Sequence, residues 1–144
     1  MNFAELEVLL IEDNPDDIAL TLRSLKKHNF INTIHVANDG VEALEHVFGG
    51  DASAEPRIPR VIFLDLKLPK VDGLEVLRKL KSDARTRMIP IVVLTSSMEH
   101  QDLTECYRLG VNSYIVKPVE FDDFARSIAE LGLYWLMLNK VPDQ

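Results

Sequence analysis

Four strand-like runs in this 144-residue chain end on side chains able to do chemistry. Glu12 and Asp13 follow Val8-Leu9-Leu10-Ile11, and Asp65 follows Val61-Ile62-Phe63-Leu64. Thr95-Ser96-Ser97 follow a run ending at Leu94, and Lys117-Pro118 follow Ser113-Tyr114-Ile115-Val116. Three carboxylates brought to one edge repel each other and drive their pKa values upward unless a cation sits among them. Oxygen-only donors in an open arrangement select a hard ion such as Mg²⁺. A lysine and a threonine facing such a cluster supply a point charge and a hydroxyl donor suited to phosphoryl oxygens. A carboxylate nucleophile there can become a phosphoaspartate.

Each residue type also has an ordinary structural use. Asp72 before Gly73 reads as a turn aspartate, and Asp16 and Asp17 read as complements to the positive end of a helix dipole. A lone lysine is normally solvated, threonine suits a strand, and Tyr114 alone could simply pack. What sets Glu12, Asp13, Asp65, Thr95 and Lys117 apart is a shared place just beyond apolar runs.

The elements that must position them alternate. After Val8–Ile11, Asn14-Pro15 supplies an N-cap and a first-turn proline for a helix with Ile18, Leu22 and Leu25 on one face. Thr33–Val36 suits a second strand, and Asp39 with Glu42 is a capping-box pattern before a helix closed by Gly49-Gly50. Residues 49–60, with Pro56 and Pro59, have loop chemistry. Asp65 is followed, after a turn at Pro69, by a helix carrying Leu74, Leu77 and Leu80. A strand is expected over Ile89–Leu94, with Pro90 tolerable near its start, then a short helix with Leu103, Cys106 and Tyr107 on one face, closed by Gly110. After the fifth strand, a last helix begins near Glu120 with a stripe at Phe124, Ile128, Leu131, Trp135 and Leu138. Five strands alternating with five helices predict an α/β, doubly wound parallel sheet, in which ligands sit outside the carboxyl ends of the strands.

Composition excludes several classes. The length fits one domain, and 47% hydrophobic content can build a core without staples. The single cysteine, Cys106, has no partner at zinc-site spacing, and it reads as a small core hydrophobe in a reducing, cytoplasmic setting. A net charge of −7 argues against nucleic acid and anionic membrane as partners. The longest apolar stretch, Leu133 to Leu138, is too short to span a bilayer. His28, His35, His46 and His100 show no ligand spacing and are expected at surface or loop positions. Arg78, Lys79 and Lys81 read as a solvated helix face.

Taken together, Glu12-Asp13, Asp65 with Leu66-Lys67-Leu68-Pro69-Lys70-Val71-Asp72-Gly73 after it, Thr95, and Tyr114 three places before Lys117-Pro118 resemble the receiver domain of two-component response regulators. The match spans roughly residues 6–130. The resemblance implies a (βα)5 flavodoxin-like fold with sheet order 2-1-3-4-5. It implies that Asp65 accepts phosphate from a sensor histidine kinase, with Asp13, Asp65 and the Lys67 backbone carbonyl binding Mg²⁺ and Glu12 supporting through water. Lys117 and Thr95 would hold the phosphoryl oxygens, and the peptide before Pro118 would be cis. Thr95 and Tyr114 would form the switch that alters the surface of helix four, strand five and helix five. Ser96 departs from the alanine common after the threonine, and Lys67 and Ser97 occupy places that tune dephosphorylation in the family.

No output domain is expected after the receiver, with a C-terminal extension at about 131–140. Leu133, Tyr134, Trp135 and Met137 put apolar groups nearly all round the last helix, which predicts an interface, a homodimer made by helix five and strand five. The long loop, the Thr-Ser-Ser stretch and the aromatic tail are similar to stand-alone receivers paired with bacterial phytochrome kinases. Two other functions compete. A degenerate receiver would act as a phosphorylation-independent scaffold, and an aspartate-nucleophile phosphatase would need a second acid where Lys67 stands.

Overall fold

A computed structural model describes residues 7–27, 34–49 and 55–117. The elements are β1 (Val8–Ile11), α1 (Pro15–Lys27), β2 (Ile34–Ala37), α2 (Gly40–Phe48), β3 (Val61–Leu64), α3 (Gly73–Ser82), β4 (Ile91–Thr95), α4 (His100–Leu109) and β5 (Ser113–Val116). All strands pair in parallel in the order β2-β1-β3-β4-β5. This is the flavodoxin-like topology expected of the chain. The fifth helix, the Pro118 peptide and the apolar tail at Leu133, Tyr134, Trp135 and Met137 lie outside the described residues, as do Thr33 and His28.

Successive strand side chains point to opposite faces, and two core layers result. Leu9, Ile11, Ile62, Leu64, Ile91 and Val93 pack on one face with Val47, Val76, Leu77, Leu80 and Cys106. Val8, Leu10, Val61, Phe63, Val92 and Leu94 form the other layer, with Ile18 and Leu22 of α1 against it. Helix starts follow local chemistry. The Asn14 Oδ1 accepts from the Asp16 and Asp17 amides at 2.9 and 3.2 Å, and Asp39 Oδ1 accepts from Glu42 N at 2.8 Å. Gly49 and Gly110 close α2 and α4 at φ 74° and 94°, where a side chain would be strained.

Three local expectations change. β4 starts at Ile91 and reaches Thr95, because Pro90 has no N–H for the ladder and contributes only its carbonyl, which accepts from Ile62 N at 2.9 Å. Tyr107 is half exposed, whereas Cys106 beside it is fully buried, since only one of two adjacent helical positions can face the sheet. His35 and His46 are not scattered surface groups. The parallel pairing of β2 with β1 sets His35 level with Leu9, and α2 lays His46 over it with ring centroids 3.8 Å apart. His46 Nε2 lies 2.8 Å from Oε1 of the buried Glu7. The end of the loop before β3 is pinned there too, through Arg60 N to Glu7 O at 2.7 Å and Arg57 Nη1 near Glu7 Oε2 at 3.4 Å.

Candidate phosphoryl and metal site

The register carries the site. Ile11 of β1 pairs with Leu64 of β3, so Glu12 and Asp65 leave the sheet side by side. Ladder hydrogen bonds run one residue past the strands: Glu12 N to Ala37 O, Asp65 N to Ile11 O, and Lys117 N to Thr95 O at 3.0, 3.0 and 2.7 Å. Those bonds fix the backbone from which each functional side chain projects. On the far side, α3 begins at Gly73, whose N–H donates to Leu66 O at 2.9 Å. A Cβ on Gly73 would sit 2.4 Å from the Asp65 carbonyl oxygen, so only glycine lets the helix approach that closely.

Glu12, Asp13 and Asp65 bring carboxylate oxygens within 4.8 Å of one another. Glu12 and Asp65 are buried and Asp13 is exposed, which leaves the cluster open on one side. Lys117 Nζ donates to Glu12 Oε1 at 2.9 Å, to Asp17 Oδ2 at 2.7 Å and to Asp65 Oδ2 at 3.5 Å. Asp65 Oδ1 accepts from Lys67 N at 3.2 Å, and Glu12 Oε2 accepts from Asn14 N at 3.2 Å. Burial pushes the Glu12 carboxyl up to about 7 against the pull of Lys117, and Asp65 beside it adds to the rise. Burial alone would lower the Lys117 pKa, but Asp17, Glu12 and the charge of Asp65 outweigh it and hold the ammonium charged. The two directions agree physically. One cation shared among three carboxylates cannot fully compensate the most buried of them. A hard divalent cation fits this donor set, because it would supply the missing positive charge at oxygen atoms already gathered.

Above the cluster lies a cavity of about 590 Å³, lined by Asp13, Asn14, Asp17, Lys67, Ser96 and Lys117 among others. Ser96 faces it, while Thr95 is fully buried and its Oγ1 accepts from Ser97 N at 3.2 Å. Ser97 ties this corner together. Its hydroxyl lies 2.5 Å from Asp102 Oδ2 on α4, and its carbonyl accepts from Tyr114 Oη on β5 at 3.1 Å. The two expected switch residues, Thr95 and Tyr114, therefore meet the same residue.

Of the residues singled out in the sequence, Glu12, Asp13, Asp65, Lys67 and Lys117 converge on one cavity. Asp17, a helix-dipole complement by its place in the sequence, instead makes the shortest contact to Lys117. Its signal was positional: it precedes Thr21 by one helical turn, and Thr21 is buried, so both lie on the inward side of α1. Asp16, one position away, is exposed. Among the described residues, no helix is long and apolar enough to cross a membrane.

The chain is 42% identical over 138 residues to the probable methanogenesis regulatory protein FilR2 of Methanothrix harundinacea, covering 94% of this chain and 86% of that one. It is 34% identical to the response regulator Rcp1 of Synechocystis, covering 94% and 92%. The structure of the Mn²⁺-bound form of Rcp1 superposes with a TM-score of 0.83 at 33% identity, over 95% of this chain and 99% of that one. The phosphorylated cyanobacterial phytochrome response regulator RcpA superposes with a TM-score of 0.85 at 34% identity, over 97% and 100%. Residues 8–129 match the model of the response regulator receiver domain, and the chain belongs to that family, related within it to the phytochrome response regulators.

Proposed function

We propose that this receiver is a phosphorylation switch in which Asp65 takes a phosphoryl group from a sensor histidine kinase. The observation that carries the reading is the convergence of Glu12, Asp13 and Asp65 with the Lys117 ammonium at the ends of β1, β3 and β5. In the transfer, a carboxylate oxygen of Asp65 forms a bond to phosphorus while the donor's P–N bond breaks. The departing imidazole keeps the electron pair of that bond. Asp13, Asp65 and the Lys67 carbonyl are the groups that would hold Mg²⁺, with Glu12 supporting through water. When bound, the cation neutralises charge on the phosphoryl oxygens. Lys117 and the Thr95 hydroxyl take the remaining oxygens. Thr95 Oγ1 is the acceptor of the Ser97 N–H, so moving its hydroxyl toward Asp65 strains that contact.

That movement supplies the output. Ser97 links Thr95 to Asp102 and Tyr114, so a shift of Thr95 toward Asp65 is transmitted to α4 and β5. Inverting a two-state element from 1:99 to 99:1 needs about 5.5 kcal/mol of differential interaction with the phosphoryl group. Similarity to RcpA supports a phytochrome-type kinase as the donor. The apolar C-terminal sequence supports a homodimer as the output state, and truncation after Leu131 should leave a folded monomer by light scattering.

The test is intact-mass analysis after incubation with Mg²⁺ and phosphoramidate, wild type beside Asp65→Asn. One phosphate on the wild type and none on the variant is expected. A wild type that gains no Mg²⁺-dependent mass would leave a phosphorylation-independent scaffold as the better reading.

A further inference from the structure

Lys117 has three carboxylate partners, and its shortest contact goes to the one outside the cation cluster. Asp17 sits in the first turn of α1, where the Asn14 cap fixes its backbone and the buried Thr21 one turn on turns its side chain toward the cavity. An ammonium has three N–H donors, and here each has a carboxylate to face. A phosphoryl oxygen arriving on Asp65 takes the place of the long Asp65 contact at 3.5 Å, and drawing the ammonium in to close on that oxygen stretches its contacts to Glu12 and Asp17. Releasing Glu12 would strand a carboxylate whose side chain is 4% exposed, whereas Asp17, at 30%, can be rehydrated.

We propose that Asp17 is a positioning residue that restrains Lys117 in the unphosphorylated protein. In this role it slows phosphorylation of Asp65 and lowers the fraction phosphorylated at steady state. The inference rests on Asp65 being the phosphoacceptor. Asp17 acts in two ways. It competes with the phosphoryl oxygen for the ammonium, and, because it lines the same cavity, its charge repels an anionic donor as it enters.

The test follows phosphorylation by intact mass in saturating Mg²⁺, comparing wild type, Asp17→Asn, Asp17→Ser and Asp17→Glu on the full chain. Two small donors are used, phosphoramidate and the more negatively charged acetyl phosphate. The Asp65 carboxylate displaces ammonia from the first by P–N cleavage and acetate from the second by P–O cleavage. Asp17→Asn and Asp17→Ser should be labelled roughly 1.5- to 5-fold faster than wild type, the range expected for losing one partly exposed ion pair. The gain should be larger with acetyl phosphate, and Asp17→Glu, which restores the charge, should return the rate toward wild type. A purely structural role for Asp17 would give neither the donor dependence nor the rescue. Equal or slower labelling of both neutral variants, with wild-type melting temperatures, overturns the inference and leaves Asp65 as acceptor. A wild type that takes no phosphate on Asp65 overturns both.

Discussion

Residues of the same type do different work here according to a few ångströms of placement. Asp13, Asp16 and Asp17 lie within five positions, yet the first joins the cation cluster, the second is solvated and the third grips Lys117. Glu12 differs from all of them by burial, which raises its pKa to about 7. A cation binding beside it favours the ionised carboxylate, so Mg²⁺ affinity should weaken as pH falls from 8 to 6. Titration calorimetry in buffers of different ionisation enthalpy should show proton release on binding near pH 6.5. Glu12→Gln should bind more weakly and show little proton release. A Mg²⁺ affinity independent of pH over this interval would contradict the assignment. Cys106 shows the opposite outcome of burial. Its thiol is pushed up to about 11, first by burial and then by Asp102 and Glu105, which makes it a packing group and a poor nucleophile.

At the scale of elements, the link from β3 to α3 is the part of the fold most tightly bound to the chemistry. Gly73 brings α3 against the backbone of Asp65 and Leu66, and Gly40 of α2 meets the same link at Val71, whose carbonyl oxygen a Cβ would approach to 1.9 Å. Lys70 between them adopts φ 67° and reaches Asp39 at 3.4 Å. Gly73→Ala should therefore cost about 1–3 kcal/mol, as overpacking does, and should also shift Asp65. Thermal melting would show the first effect. Slower labelling by phosphoramidate in the folded variant would show the second, and an unchanged rate would mean that the loop absorbs the methyl elsewhere. How far such elements can be read from sequence depends on whether the information is local. Caps at Asn14 and Asp39, the stop at Gly110 and the apolar runs are local, and they are where the sequence places them. The start of β4 depends on which ladder bonds Pro90 forfeits, the exposure of Tyr107 on the phase of α4, and the grip of Asp17 on a lysine 100 positions away. None of those is visible before the pairing is known.

Across the whole molecule, the sheet holds two titrating centres at opposite ends. Glu12 lies beyond the carboxyl end of β1, whereas His35 of β2, stacked on His46, lies toward the entry end, near Glu7. Burial, then the neighbouring His46, lowers the His35 pKa below its ordinary 6.5, while Glu7 and Glu42 oppose the shift and Arg57 reinforces it. The signs of the two linkages are opposite. Glu12 has a raised folded pKa, so its contribution is present in full below about 4.5 and is lost as pH rises through about 7. His35 has a lowered one, so its contribution is present above 6.5 and is lost as pH falls through its folded value. Between pH 5 and 6.5 the two slopes oppose each other, and the metal-free wild type should show a shallow stability profile. Denaturant melts from pH 5 to 8 in the absence of divalent cations should separate them. Glu12→Gln should become more stable as pH rises from 5 toward 7, because only the histidine slope remains. His35→Gln should become less stable over the same interval, because only the carboxylate slope remains. Among the described residues the centres share no partner, so the effects should add, and the double variant should show neither slope. If the double variant kept a slope as steep as either single variant, a third group would have to set the pH dependence of the fold.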